Sequence, residues 1–474
     1  MFIDKRNIAF YLLIVVGMML NACHNATKDE ARTNQDKIRL ITLDPGHFHA
    51  ALVQKSMYPQ IDSVVYVYSP GGQELQEQLN LIDQYNHRKE NPTHWVEKVY
   101  TGNDFLEKMV EEKQNNPNKG GADIVVIAGN NLRKTEYIKR AIDAGMNVLA
   151  DKPMAINTAG FDMLKHVFAD AKEKGVILYD IMTERSEITT ILQKALAHNP
   201  AVFGELKQGT ADSPTVVMES VHRYFKQVSG KPLIRPDWFF DPLQEGDAIV
   251  DVGTHLVDQV QWVCFPGVSL DYSRDIHIQS SKVWPSPLTL SEFSNITKED
   301  HFPDFLNKYV KDDSILLTHG NGTINYTIKG IHTRITTKWT YDAPQGAGDT
   351  YYSLLAGTTA NLEIRQGEEE SWQPALYVWP TKAVKDIKEF IDDLENAMKE
   401  INKEFPGVSI EKYKNGWKVS IPEKYRQGHE AHFAEAMKRY LQYLKDGKLP
   451  GWEVPGMIAK YYTTTKALEM AQQR

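Results

Sequence analysis

Cysteine is nearly absent from this 474-residue chain, which holds only Cys23 and Cys264. Two thiols cannot build a disulfide framework, so stability has to come from buried apolar surface. An excess of positive charge is missing too. Lys plus Arg number 54 against 62 Asp plus Glu, a formal charge of -8 that offers no field to attract nucleic acid or an anionic membrane surface. No apolar run reaches the roughly 20 residues of a transmembrane helix. The chain has no P-loop, no Gly-x-Ser-x-Gly elbow and no His/Cys set with zinc spacing, so no metal is expected. What it does have is core-forming material: hydrophobic residues at 42% and charged residues at 24% describe a packed globular protein, and the length predicts two or three domains.

At the N-terminus, Lys5 and Arg6 precede an apolar stretch from Ile8 to Leu20 that ends in Leu20-Asn21-Ala22-Cys23. A charged n-region, a short apolar h-region and a small-residue cleavage site make residues 1–22 a signal peptide. The ending resembles the lipobox of bacterial lipoproteins. That resemblance implies cleavage before Cys23, lipidation of its thiol, and a protein held at the cell envelope through the lipid alone. Residues 23–37 then form a polar tether.

From residue 38 short apolar runs alternate with helical patterns. The runs are Ile38–Leu43, Val64–Tyr68, Ile124–Ala128, Val148–Ala150 and Val176–Tyr179. Fully apolar strands separated by amphipathic helices predict a parallel sheet covered on both faces, a doubly wound domain over 38–198. Beyond it the strands lengthen and alternate, at Ile315–Thr318, Thr323–Ile328 and Ile331–Trp339, with Asn321-Gly322 and Lys329-Gly330 read as hairpin turns. Residues 199–474 are therefore expected to form an α+β domain with a large, mainly antiparallel sheet and closing helices.

The turn after the first strand, Asp44-Pro45-Gly46-His47-Phe48-His49, stands where a dinucleotide-binding domain carries Gly-x-Gly-x-x-Gly, yet only Gly46 matches. His47, Phe48 and His49 flank a helix start, where the imidazoles could donate to a phosphate. After the second strand, Ser69 occupies the position at which an NAD enzyme usually places a carboxylate. NAD and NADP both stay open. The strand ending Ala128-Gly129-Asn130-Asn131, the helix to Gly145 and the strand leading into Asp151-Lys152-Pro153 resemble the Gfo/Idh/MocA family of oxidoreductases. So does Gly246-Asp247 through Asp251, His255 and Asp258, where spacings of four and three residues put the three polar side chains on one helical face.

The resemblance implies a Rossmann domain binding NAD or NADP through Gly46, His47, Phe48, Ser69, Asn130, Asn131, Asp151 and Lys152, and a sugar, polyol or glycoside substrate. It gives His255 the role of general base, Asp251 that of fixing the His255 tautomer, and Lys152 that of bonding the reacting oxygen. Export into a compartment poor in free dinucleotide implies a tightly held cofactor. Two other readings stand beside this one: a redox-neutral NAD-dependent glycosidase and a non-catalytic glycan-binding lipoprotein. Association into a homo-oligomer is left open by the sequence. His429 and His432 are expected to be solvated or packing residues, and Trp372, Tyr377, Trp379 and Trp417 to be core before they are sugar platforms.

Overall fold

The computed structural model describes residues 37–115, 122–228, 230–318, 320–343 and 347–473. The signal segment, Cys23 and the tether up to residue 36 lie outside the described residues.

Six parallel strands form the first sheet: β1 (Ile38–Leu43), β2 (Ile61–Ser69), β3 (Val96–Thr101), β4 (Asp123–Ile127), β5 (Asn147–Ala150) and β6 (Leu178–Asp180). Their spatial order is 3-2-1-4-5-6, the doubly wound arrangement, in which the order reverses between β1 and β4. β4 and β5 are buried at every residue, as a parallel strand covered on both faces must be. The strand absent from the sequence reading is β3. It lies at the sheet edge, pairs only with β2 and is largely exposed, so Val-Glu-Lys-Val-Tyr-Thr carries no apolar run to reveal it.

The second sheet has nine strands, from Ile276–Trp284 at one edge to Ser409–Tyr413 at the other, and every pair but one is antiparallel. The exception joins Val216–Arg223 to Ile331–Thr340. The fold class is the expected one. Lys329-Gly330 does turn a hairpin, with positive φ at both residues (49° and 80°). Asn321-Gly322 does not, because both residues lie inside the strand Asn321–Ile328. Gly322 serves packing instead: a Cβ there would fall 2.1 Å from Ile249 Cγ2 of the helix Ala248–Asp251. Ile315–Leu316 pairs in a separate three-stranded sheet.

Helices connect the two halves. Ile188, Leu192 and Leu196 of the helix Ile188–Ala197 pack in the core of the second sheet, although the sequence pattern had placed them before the boundary at 198. Conversely, Phe433, Met437 and Tyr440 of the helix His429–Asp446 join the core of the first domain. A buried ionic cluster crosses the junction. Arg185 grips Asp258 with two bonds of 2.7 Å and Glu453 at 3.0 Å, while Lys460 bridges Asp180 (2.7 Å) and Asp258 (2.8 Å).

Candidate functional site

The crevice opens where the strand order reverses. Asp44, at φ 45°, turns the chain out of β1, and Tyr137 donates to its carboxylate at 2.9 Å. The amides of Gly46 and His47 both donate to the carbonyl of Ala128, at 3.2 and 3.1 Å. The loops after β1 and β4 approach so closely that a Cβ on Gly129 would stand 2.2 Å from the Asp44 carbonyl oxygen. Only glycine at 129 lets these two loops pack this closely.

Asp151 follows β5, and its amide donates to the Ile127 carbonyl at 2.8 Å. Its Oδ2 receives His49 Nδ1 at 2.9 Å and His47 Nδ1 at 3.2 Å, and its Oδ1 receives the Lys152 amide at 3.0 Å. Burial alone would raise this carboxyl. The His49 charge interaction, the bonds from both imidazoles and Lys134 outweigh it and hold Asp151 well below its usual value. Burial pushes both histidines down, His49 the further, against the pull of the Asp151 carboxylate. Both Nδ1 atoms face Asp151, which leaves the Nε2 side of each ring for any phosphate. The three atoms lie within 4.8 Å of one another, a spacing that could ligate a metal, but they are bonded among themselves.

Lys152 reaches across the crevice. Its ammonium donates to the Asp251 carboxylate and to the Asp251 carbonyl at 3.4 Å, with both side chains more than nine-tenths buried. Burial opposes the charge on each group, and the partner restores it: Asp251 is held low by Lys152, and Lys152 is held high by Asp251 and Asp151. Asp251 ends the helix Ala248–Asp251, and the next helix, Gly253–Cys264, carries His255. Val252 between them keeps helical angles (φ -77°, ψ -37°), yet the polar side chains take separate partners. Asp251 bonds Lys152 and not His255, and Asp258 joins the buried cluster of Arg185 and Lys460. His255 Nδ1 is buried without a hydrogen-bond partner. Burial first, then the charges of Lys152, His429 and His222, hold its pKa well below the ordinary histidine value.

Asn130 and Asn131 turn out to be junction residues. Asn130 donates to Gln244 at 2.8 Å, and Asn131 donates at 2.8 Å to both the carbonyl and the carboxyl of Glu245. Ser69 is buried, its hydroxyl accepting the Gly71 amide at 3.1 Å.

Beside Gly46, His47 and Phe48 lies a cleft of about 860 Å³, bounded by Gln73, Glu74 and Glu77 of the helix after β2 and by the second-domain segment 231–237. That volume is within the range of cofactor pockets. Arg235 lines it. Its Nε donates to the Tyr224 carbonyl at 2.9 Å, its guanidinium carbon stands 4.4 Å from the centre of the Phe239 ring, and no carboxylate pairs with it among the described residues. A buried, unpaired guanidinium beside a glycine approach fits a diphosphate. Trp238 leans over Gly46 and donates to Glu74 Oε1 at 3.2 Å. Neither Arg235 nor Glu74 was found from sequence, because each comes from outside the family-like motifs. Only adjacency to Trp238 and to the glycines after β2 hinted at them. His429 is exposed, with its side chain 43% accessible and its ring centre 5.9 Å from that of His49, whereas His432 is the buried one of the pair. Tyr377 and Trp417 are buried in the second sheet, and neither lines the cleft.

The chain belongs to the Gfo/Idh/MocA family of oxidoreductases. Residues 46–182 match the family described as "Oxidoreductase family, NAD-binding Rossmann fold", and residues 192–472 match "Putative oxidoreductase C terminal domain". Among solved structures it is similar to a "putative oxidoreductase" from Parabacteroides merdae, at 50% identity over 93% of this chain and 99% of that one, with a TM-score of 0.88. A 3-ketoreductase from Actinomadura kijaniata, in complex with NADP and TDP-benzene, shares the fold at 13% identity over 90% of this chain and 96% of that one (TM-score 0.52). An enzyme of gentamicin A biosynthesis in complex with NAD does so at 13% identity over 92% of this chain and 95% of that one (TM-score 0.53). No curated protein matches. The protein is thus an oxidoreductase with a nicotinamide-dinucleotide-binding Rossmann domain.

Proposed function

We propose that the protein oxidises or reduces a hydroxyl-bearing carbon of a sugar, polyol or glycoside, with its cofactor retained through turnover. The observation that carries this is the Lys152–Asp251 pair across the domain crevice, with the unpartnered His255 Nδ1 close by in sequence and charge. When bound, the nicotinamide supplies the hydride acceptor or donor. Gly46 and Arg235 both line the cleft, and Arg235 would meet the diphosphate. Lys152 carries three donor hydrogens; Asp251 fixes the ammonium, and the hydrogens it does not use are available to a substrate oxygen. His255, kept neutral by burial and neighbouring charge, has a lone pair for the hydroxyl proton. The 3-ketoreductase that shares the fold, in complex with NADP, supports interconversion of a carbonyl and a hydroxyl. Retention follows from the export signal: lipid attachment at Cys23 would hold the protein at the cell envelope, where a weakly bound dinucleotide would be lost.

The test is native and denaturing mass spectrometry of the purified protein, followed by a panel of glycosides supplied after extensive desalting with no added cofactor. A bound dinucleotide and repeated turnover are expected, sustained by a second sugar or an electron acceptor. Cleavage without net cofactor reduction would move the assignment to a redox-neutral glycosidase. If no dinucleotide binds, the glycan-binding reading replaces this one.

A further inference from the structure

We infer that the cleft selects NAD over NADP, and that Glu74, held by Trp238, is the selecting residue. The inference rests on the dinucleotide reading above. In a doubly wound domain the adenosine ribose lies beyond the end of β2, where a carboxylate that accepts its two hydroxyls excludes a 2′-phosphate. Here β2 ends at Ser69, and that hydroxyl is occupied by the Gly71 amide. The carboxylate comes from the next helix. Glu74 stands in the first turn of Gln73–His87, lines the cleft, and has its Oε2 3.4 Å from where a Cβ on Gly72 would be. It therefore overhangs the glycine pair after the strand. Gly71 and Gly72, at φ 99° and 96°, let the chain double back beneath it.

Glu74 is not a loose surface acid. Trp238 Nε1–H donates to its Oε1, which leaves Oε2 for the ribose, and the indole ring lies against Gly46. A side chain of the second domain thus fixes the aim of a carboxylate in the first. Glu77, one turn on, adds a second negative charge to the same wall. The cations of the cleft, Lys231, Arg235 and Lys298, all come from the second domain and not from the segment after β2.

The experiment has two readouts, neither of which needs a substrate. Dinucleotide released from the protein on denaturation is identified by mass, and dissociation constants of NAD and NADP are measured on the stripped, refolded protein by calorimetry. Release of NAD(H) and at least 10-fold tighter binding of NAD are expected. Glu74→Gln keeps an acceptor for Trp238 but removes the charge, and should narrow the ratio to about threefold by improving NADP. Trp238→Phe should weaken NAD several-fold. Equal or tighter binding of NADP by the parent, as when Lys231 or Lys298 meets the 2′-phosphate, overturns the inference while leaving the cofactor reading intact. A ratio unmoved by Glu74→Gln overturns the role of Glu74. Binding of neither dinucleotide overturns both readings.

Discussion

Lys152, just beyond β5 in the first domain, and Asp251, at the end of a short helix in the second, form an ion pair with side-chain exposures of only 8% and 7%. Neither charge would be stable in that position alone. Burial works against both, and each is kept ionised by the other. The contact therefore joins the two domains and prepares an ammonium at the crevice in one interaction.

Breaking the pair from one side should cost about 3–5 kcal/mol, since it strands a buried charge. Asp251→Asn or Lys152→Met alone is expected to lower the thermal midpoint by several degrees. The double variant, with no charge left unpaired, should recover much of the loss. Calorimetric unfolding of all three checks this, and a double variant no more stable than the worse single one contradicts it.

His255→Ala removes the unpartnered imidazole without touching the cleft lining. Turnover should fall about 10²- to 10⁴-fold while the dissociation constant of the dinucleotide stays within about twofold. Steady-state kinetics on an identified substrate, beside a direct binding titration, separates the two effects.

Among the described residues the hydrogen bonds of Arg235 go to the carbonyls of Tyr224 and Arg223 and no carboxylate pairs with it, so its charge can meet an anion. Arg235→Met should weaken dinucleotide binding about 10- to 100-fold, the loss of a charge-assisted bond worth about 1.5–3 kcal/mol. Lysine at the same position keeps the charge and should recover part of it. Equal affinity in the methionine variant would remove Arg235 from the cofactor site.

Glu97 predicts an unusual pH dependence away from the site. Burial raises its carboxyl to about 7, against a bond from Gln54 at 2.7 Å, and its second oxygen has no partner. The folded state then binds more protons than the unfolded state between about 4.5 and 7. Stability is lost as pH rises through that window. Glu97→Gln should be nearly neutral at pH 5 and stabilising by about 1–2 kcal/mol at pH 8. A stability gain that does not grow with pH would refute the assignment.

Anchoring is tested separately. Cys23→Ser should move the protein from the membrane fraction to the soluble fraction of cells. Unchanged fractionation would dismiss the lipobox reading.

Much of the first domain was readable before any coordinates, because strands buried on both faces have to be apolar along their whole length. Val125, Val126 and Ile127 advertise a central strand, whereas Val96–Thr101, half in water at the edge, has no such signature. Motif spacing singled out Lys152 and Asp251, which the structure brings together as an ion pair. Their pairing was not legible. Spacing along a helix states which residues share a face but not what packs against that face, and here Lys152 takes Asp251 while Arg185 and Lys460 take Asp258.

The sequence by itself determined the class of fold and most of the succession of strands and helices, since local pattern is set by neighbours a few positions away. Tertiary structure alone decided that His47 and His49 converge on Asp151 from a loop about a hundred residues distant, and that Trp238 aims Glu74 across the cleft. Partners brought together by burial of two cores leave no mark in the spacing of either segment, because the free energy that joins them comes from apolar surface elsewhere in the chain.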